Sequence, residues 1–264
     1  MRLGDHAAHP FRFFGWVLLI SIPFYAWGVF WPVRGLPFGL PVSAVMVVAP
    51  AIVAMVLTRR EADAASAWRL WRRVIDVRRI PGPGWFFAAL LFMPATSLFS
   101  FVIMRVLSLP LPVPVSVSLS QAPLLAAVYF LGAIFEEVGW TGYATEPLQE
   151  RYGILGTGLV IGAVWAVWHV VPWWLGQGHA LSWVANQSLA TLSMRIVMGW
   201  IYAHGGRSLF LAILFHAMIN TSYSLFPNRG SHYDPSIIAA VLVIMTGMIA
   251  LARPVIRRAS VNVR

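Results

Sequence analysis

Long apolar runs separated by short polar or proline-rich stretches dominate this chain. The runs cover residues 13–31, 39–57, 84–107, 123–143, 155–175, 183–202, 208–225 and 237–252. Each has about the length a helix needs to cross a bilayer, roughly 20 residues. The pattern predicts an all-α polytopic membrane helix bundle of about eight transmembrane helices. The spacers predict a turn at 32–37, an uncharged proline-rich loop at 109–120 and a polar loop at 146–153. No separate soluble domain fits between the runs, so residues 1–264 are read as a single integral membrane domain.

One spacer is different. Residues 58–83 carry seven arginines: Arg59, Arg60, Arg69, Arg72, Arg73, Arg78 and Arg79. Trp68, Trp71 and Ile75 recur there at helical spacing, which predicts an amphipathic helix lying on an anionic membrane surface. A nucleic-acid patch is the alternative for so basic a stretch. Its place between two apolar runs favours the lipid bilayer as the partner, with no nucleic acid.

Composition agrees with the pattern. The chain is 59% hydrophobic and 11% charged, where soluble domains hold about 25% charged residues. All 19 basic residues are Arg, giving a formal net charge of +10, and the usage hints at a high-GC bacterial genome. Arg2, Arg12, the Arg59–Arg79 cluster, Arg151, Arg207, Arg253, Arg257, Arg258 and Arg264 fall on one side of an eight-span topology. Arg34 and Arg229 fall in the loops of the other side. The positive-inside rule then predicts a multi-pass protein of the bacterial cytoplasmic membrane with both termini cytoplasmic. The first apolar run lacks a small-residue cleavage site and is read as a retained helix. Trp31, Trp85, Trp173, Trp174 and Trp183 fall near run ends, as an interfacial belt would place them. With no Cys, disulfides and thiolate ligands are excluded.

The candidate chemistry lies inside the apolar runs. Glu136 and Glu137 are consecutive acids in residues 123–143, and a carboxylate at mid-bilayer costs roughly 2.5–3.5 kcal/mol. On a helix they project about 100° apart, which predicts one acid in the reaction and one bracing a neighbour. A buried ion pair between helices is the structural alternative. His169 shares a helix face with Trp165, and Gly158 and Gly162 continue that stripe, which would let another helix approach closely. His216 and Asn220 stand one turn apart. Arg195 ends a polar stripe with Gln187 and Thr191, which predicts an inward face with Glu137 as its partner; snorkelling to the inner surface is the other reading. His179, His204 and His232 sit at run ends or in loops and are expected to be solvated, as are Glu146 and Glu150.

Such a set can hydrolyse a bond in two ways. Glu136, His169 and His216 could bind Zn²⁺ and activate its water. Without metal, Glu136 would take the proton from a water held by the histidines, with Asn220 and an imidazole stabilising the oxyanion. The residues leave both open, and there is no His-Glu-x-x-His zinc signature.

Glu136-Glu137-Val-Gly-Trp-Thr141, Trp165-x-x-x-His169 and His216-x-x-x-Asn220 resemble the three motifs of the type II CAAX prenyl endopeptidase and bacteriocin-processing family of intramembrane proteases. The resemblance covers about residues 120–226 as a catalytic core. It implies an intramembrane endopeptidase acting on a hydrophobic or membrane-tethered peptide, prenyl-modified or bacteriocin-like. Glu136 would activate water, and His169, His216 and Asn220 would orient it or hold a metal. The alternative is a non-catalytic bacteriocin-immunity or partner-binding membrane protein of the same fold. A transporter using the buried acids as a proton relay is a third class, disfavoured because no paired broken helices are visible. One position departs from the family pattern: the motif's Arg is Thr141, which predicts that Arg195 supplies the missing charge from another helix.

Overall fold

A computed structural model describes residues 8–31, 42–117 and 119–261, with side chains described up to residue 251. Arg2, Arg34, Arg264 and the expected turn at 32–37 lie outside the described residues, as do the side chains of Arg253, Arg257 and Arg258.

Among the described residues there is no strand, and nine α-helices follow in order: α1 (Pro10–Phe30), α2 (Val48–Glu61), α3 (Ala64–Arg72), α4 (Pro83–Val106), α5 (Ala122–Glu137), α6 (Thr145–Val171), α7 (Leu181–His204), α8 (Leu209–Leu225) and α9 (Pro235–Val261). Eight of them answer to the eight apolar runs, and α3 is the amphipathic addition. Among the described residues, four helical stretches are long and apolar enough to cross a membrane: Pro10–Phe30, Pro83–Val106, Leu119–Tyr143 and Thr145–Gly176. Leu209–Leu225 and Pro235–Leu251 are shorter apolar helices. The length and polarity of the others depart from the simple picture. α2 has only 14 residues, and α7 carries Gln187, Thr191, Ser193 and Arg195 along its length. The protein is a multi-pass helical membrane bundle.

The bundle is apolar outside and polar inside. Phe11, Leu19, Leu91, Leu98 and Met248 are exposed, while Glu136, Glu137, Arg195 and His216 are buried. Water gives no reward for that arrangement, whereas lipid does: hydrocarbon solvates the leucines, and the charges find partners only within the bundle.

Two contacts sort the connections to opposite ends. Arg73, just after α3, reaches Glu146 at the start of α6, Tyr202 near the end of α7 and the Arg207 carbonyl before α8. At the other end Asn228 joins the α8–α9 connection to Ser116 in the proline-rich loop. The connections that carry Arg73 and Arg207 therefore share one face with the start of α6.

The expected polar loop at 146–153 is helical instead. It forms the opening turns of α6, which change direction at Gly153, where φ is +66° and a side chain would be strained. Glu146 is half-buried there and not solvated, because it accepts from Arg73 at 2.9 Å and Tyr202 at 2.6 Å. Burial opposes the Arg73 charge, but the Tyr202 hydroxyl and the Glu146 carboxylate outweigh it and hold its pKa above the usual arginine value.

Some tryptophans also depart from the belt. Trp31 and Trp174 are exposed, but Trp85 stacks on His204, Trp173 on His169 and Trp183 on His179. His204 and His179 are thus each packed against a ring and only partly exposed. His232 is half-buried and bonds Ser231 at 2.9 Å.

The most extensive helix contact is α6 against α7, and small residues allow it. A Cβ added at Gly158 would sit 2.7 Å from the Ile196 Cα, and one at Gly162 would sit 2.9 Å from the Leu192 Cα. Both backbones are rigid, so neither contact can relax cheaply. Gly162→Leu should lower stability by about 1–3 kcal/mol through overpacking, read from chemical unfolding in detergent. Gly132→Ala, where a new Cβ meets nothing within 4 Å, should leave stability close to wild type.

Candidate active site

The acids sit where α5 changes form. Residues Val138–Tyr143 wind as a π-helical turn, and the Ala144 amide bonds back five residues to the Gly139 carbonyl at 3.1 Å. Such a turn inserts a residue into the helix and is often found at functional sites. Gly139 and Gly142 let it sit close to its neighbours, since a Cβ would meet Pro50 at 2.7 Å and Leu70 at 2.9 Å respectively.

Glu136 and Glu137 point to different partners, as their angular separation requires. Glu137, 0% exposed, accepts from Arg195 Nη1 at 2.7 Å, Thr141 Oγ1 at 2.5 Å and His216 Nδ1 at 2.8 Å. Three donors leave it little capacity for reaction. Because a carboxylate only accepts, the His216 proton facing it is on Nδ1, which leaves Nε2 directed to Glu136. The separation between His216 Nε2 and Glu136 Oε1 is 3.9 Å. That is too long for a direct hydrogen bond and within the span of one bridging water. The other Glu136 oxygen accepts the Trp165 indole N–H at 2.9 Å.

Trp165 stands at the centre. Its ring meets His169 edge-on at 5.3 Å and His216 at 5.1 Å, and the Arg195 guanidinium lies 4.5 Å over it. This cation–π contact matters because Arg195 Nε and Nη2 are buried without a hydrogen-bond partner among the described residues. Arg195 does not snorkel. It meets Glu137 from α7, and Thr141 adds a hydroxyl to the same carboxylate.

His169 and Asn220 stand apart from this network. The His169 Nδ1–H donates to the Trp165 carbonyl at 2.8 Å, and its ring stacks on Trp173 at 5.0 Å. Asn220, half-buried and one turn beyond His216 on α8, makes no side-chain hydrogen bond among the described residues. Glu136, His169 and His216 are the residues that would hold zinc if a metal were used. Among the described residues, no three His, Asp or Glu side chains stand where one ion could bind them all. His216 directs Nδ1 to Glu137 and His169 directs Nδ1 to the Trp165 carbonyl, which leaves both Nε2 atoms open to a metal; what does not fit a zinc site is the lack of three converging donors among the described residues.

Sequence reasoning missed how α1 braces the site. Trp168, next to His169, donates to Ser21 Oγ at 2.7 Å, and Tyr25 donates to the Trp168 carbonyl at 2.8 Å. Ser21 and Tyr25 lie four apart in an apolar helix, and that pair of polar groups was the available signal.

Residues 118–222 match the model of a family described as type II CAAX prenyl endopeptidase Rce1-like. That segment is similar to the Rce1-like family. It holds Glu136, Glu137, Thr141, Trp165, His169, Arg195, His216 and Asn220. A stretch of 103 residues is also 34% identical to CAAX prenyl protease 2 of Methanococcus maripaludis, covering 36% of this chain and 38% of that relative. The chain thus spans well under half the length of the curated relative it matches. Within the matched segment, the charge that braces Glu137 comes from α7.

Arg195→Leu should destabilise the protein by about 3–5 kcal/mol, because Glu137 would stay buried without its countercharge. Adding Thr141→Arg to that variant should recover part of the loss. Unfolding of wild type, single and double variants in detergent measures both effects.

Proposed function

We propose that this protein is an intramembrane endopeptidase of the Rce1-like type, hydrolysing a peptide bond in a hydrophobic or membrane-tethered peptide. The observation that carries the reading is the 3.9 Å separation of Glu136 Oε1 and His216 Nε2, each fixed from behind by its own partner. Trp165 holds Glu136 and Glu137 holds His216, so neither group must reorganise when a reaction begins.

In this reading a water lies between the two atoms. Glu136 takes a proton from it as the oxygen attacks the scissile carbonyl carbon, a C–O bond forms, and the carbonyl oxygen becomes an oxyanion. Asn220, with a free amide on the next turn of α8, donates to that oxyanion. The tetrahedral carbon then expels nitrogen as the C–N bond breaks, and the amine leaves with the proton held by Glu136. His216 orients the water, and His169 lines the site with Trp165 and Trp173. Burial of the site within the bundle favours substrates that enter from the bilayer. The shared face of the arginine-bearing loops supports an orientation with both termini cytoplasmic.

Glu136→Gln should lower cleavage by at least about 100-fold while leaving insertion and folding intact, and His216→Ala should lower it as far while also costing stability, because it takes a donor from Glu137. The assay is cleavage of prenylated and unprenylated hydrophobic peptides by protein reconstituted in bicelles. Full processing by Glu136→Gln would reject the hydrolytic reading in favour of an immunity or partner-binding role. Activity should also survive chelation with EDTA; loss on chelation and recovery with Zn²⁺ would overturn the metal-free mechanism.

A further inference from the structure

Residues 62–82 join α2 to α4, and both ends are therefore held at one face of the membrane. Within this connection the two sides of the chain differ. Ala67, Leu70, Arg73 and Val74 are buried against the bundle. On the opposite side Trp68 is 59% exposed and Ile75 76% exposed, and Arg69, Arg72, Arg78 and Arg79 are exposed beside them.

The inward side explains why the segment cannot swing away. Arg73 Nη2 bonds Glu146 and Tyr202, its Nη1 reaches the Gly142 carbonyl at 3.4 Å, and Leu70 packs against Gly142. On the outward side Trp68 and Ile75 are open to the surroundings. Asp63 lies 3.9 Å from Arg69, and Asp76 bonds Arg79 at 2.6 Å. Two acids against four exposed arginines leave an excess of positive charge, interleaved with a large aromatic and a large aliphatic side chain. A soluble acidic protein would answer the arginines but not Trp68 and Ile75. Phospholipid answers both, since phosphate accepts from guanidinium while indole and isoleucine enter the headgroup–acyl boundary.

We propose that residues 63–80 form a binding surface for anionic phospholipid headgroups, clamped onto the π-helical turn of the site through Arg73 and Leu70. The surface does not depend on the protein being a protease. Because Gly142 follows Thr141, which bonds Glu137, the lipid-facing segment and the active-site acid are joined by one continuous set of contacts.

The test uses the full chain reconstituted in phosphatidylcholine bilayers with spin-labelled phosphatidylglycerol or spin-labelled phosphatidylcholine. The motionally restricted fraction of each label is read by electron paramagnetic resonance. Wild type should prefer phosphatidylglycerol by about threefold, with the preference falling as salt rises. Arg69→Gln, Arg72→Gln, Arg78→Gln and Arg79→Gln together should remove at least half of that preference without shifting the unfolding midpoint. The same four positions changed to Lys should keep it. Wild-type preference in the Gln variant would overturn the proposal by assigning the lipid contact to arginines elsewhere. So would equal restriction of both labels by wild type together with binding of a soluble poly-glutamate peptide.

Discussion

The buried charge cluster of Glu137, Arg195, His216 and Thr141 is the constraint on which the rest of the structure depends. A carboxylate with no exposure must have its charge matched by neighbours, and here those neighbours come from two separate helices and the π-helical turn. Satisfying it fixes the rotation of α5, α7 and α8 about their axes. A buried ion pair is not in itself a strong source of stability, since desolvation offsets much of the attraction. Its effect is on geometry, because few other helix rotations would keep three donors on one carboxylate.

Once Glu137 is held, the remaining groups acquire their positions from it. His216 is turned by the bond at Nδ1, so Nε2 must face Glu136. Glu136 cannot share Glu137's partners and takes the Trp165 indole instead. Trp165 in turn offers its face to Arg195 and its backbone carbonyl to His169. The consecutive acids therefore act as a divider: one is saturated by donors and the other keeps a free oxygen. Close approach at Gly158 and Gly162 brings α6 near enough to α7 for Trp165 and Arg195 to meet.

Much of the site was legible in the chain because charged and imidazole groups are rare within apolar runs. Glu136, Glu137, His169, Arg195 and His216 stand out by that rule alone, and the Arg195–Glu137 pairing follows from the absence of arginine at position 141. Other features were hidden for physical reasons. Glu146 and Arg73 sit in polar segments, where charge carries no signal, yet they are buried against one another. His179, His204 and three tryptophans lie near span ends, where stacking and solvation leave the same sequence pattern. The supposed loop at 146–153 is helical because an ion pair supports its first turn, and only Gly153 marks the change of direction.

The sequence by itself determined the all-α membrane bundle and the small set of intramembrane groups able to do chemistry. These are consequences of hydropathy and periodicity, which are local properties summed along a segment. The tertiary structure decided which of those groups meet. It placed His216 between the two acids, put Trp165 at the centre, kept His169 and Asn220 outside the hydrogen-bonded network, and left no three His, Asp or Glu donors converging among the described residues. Such decisions depend on helix rotation and approach to within an ångström, set by packing between residues far apart in the chain.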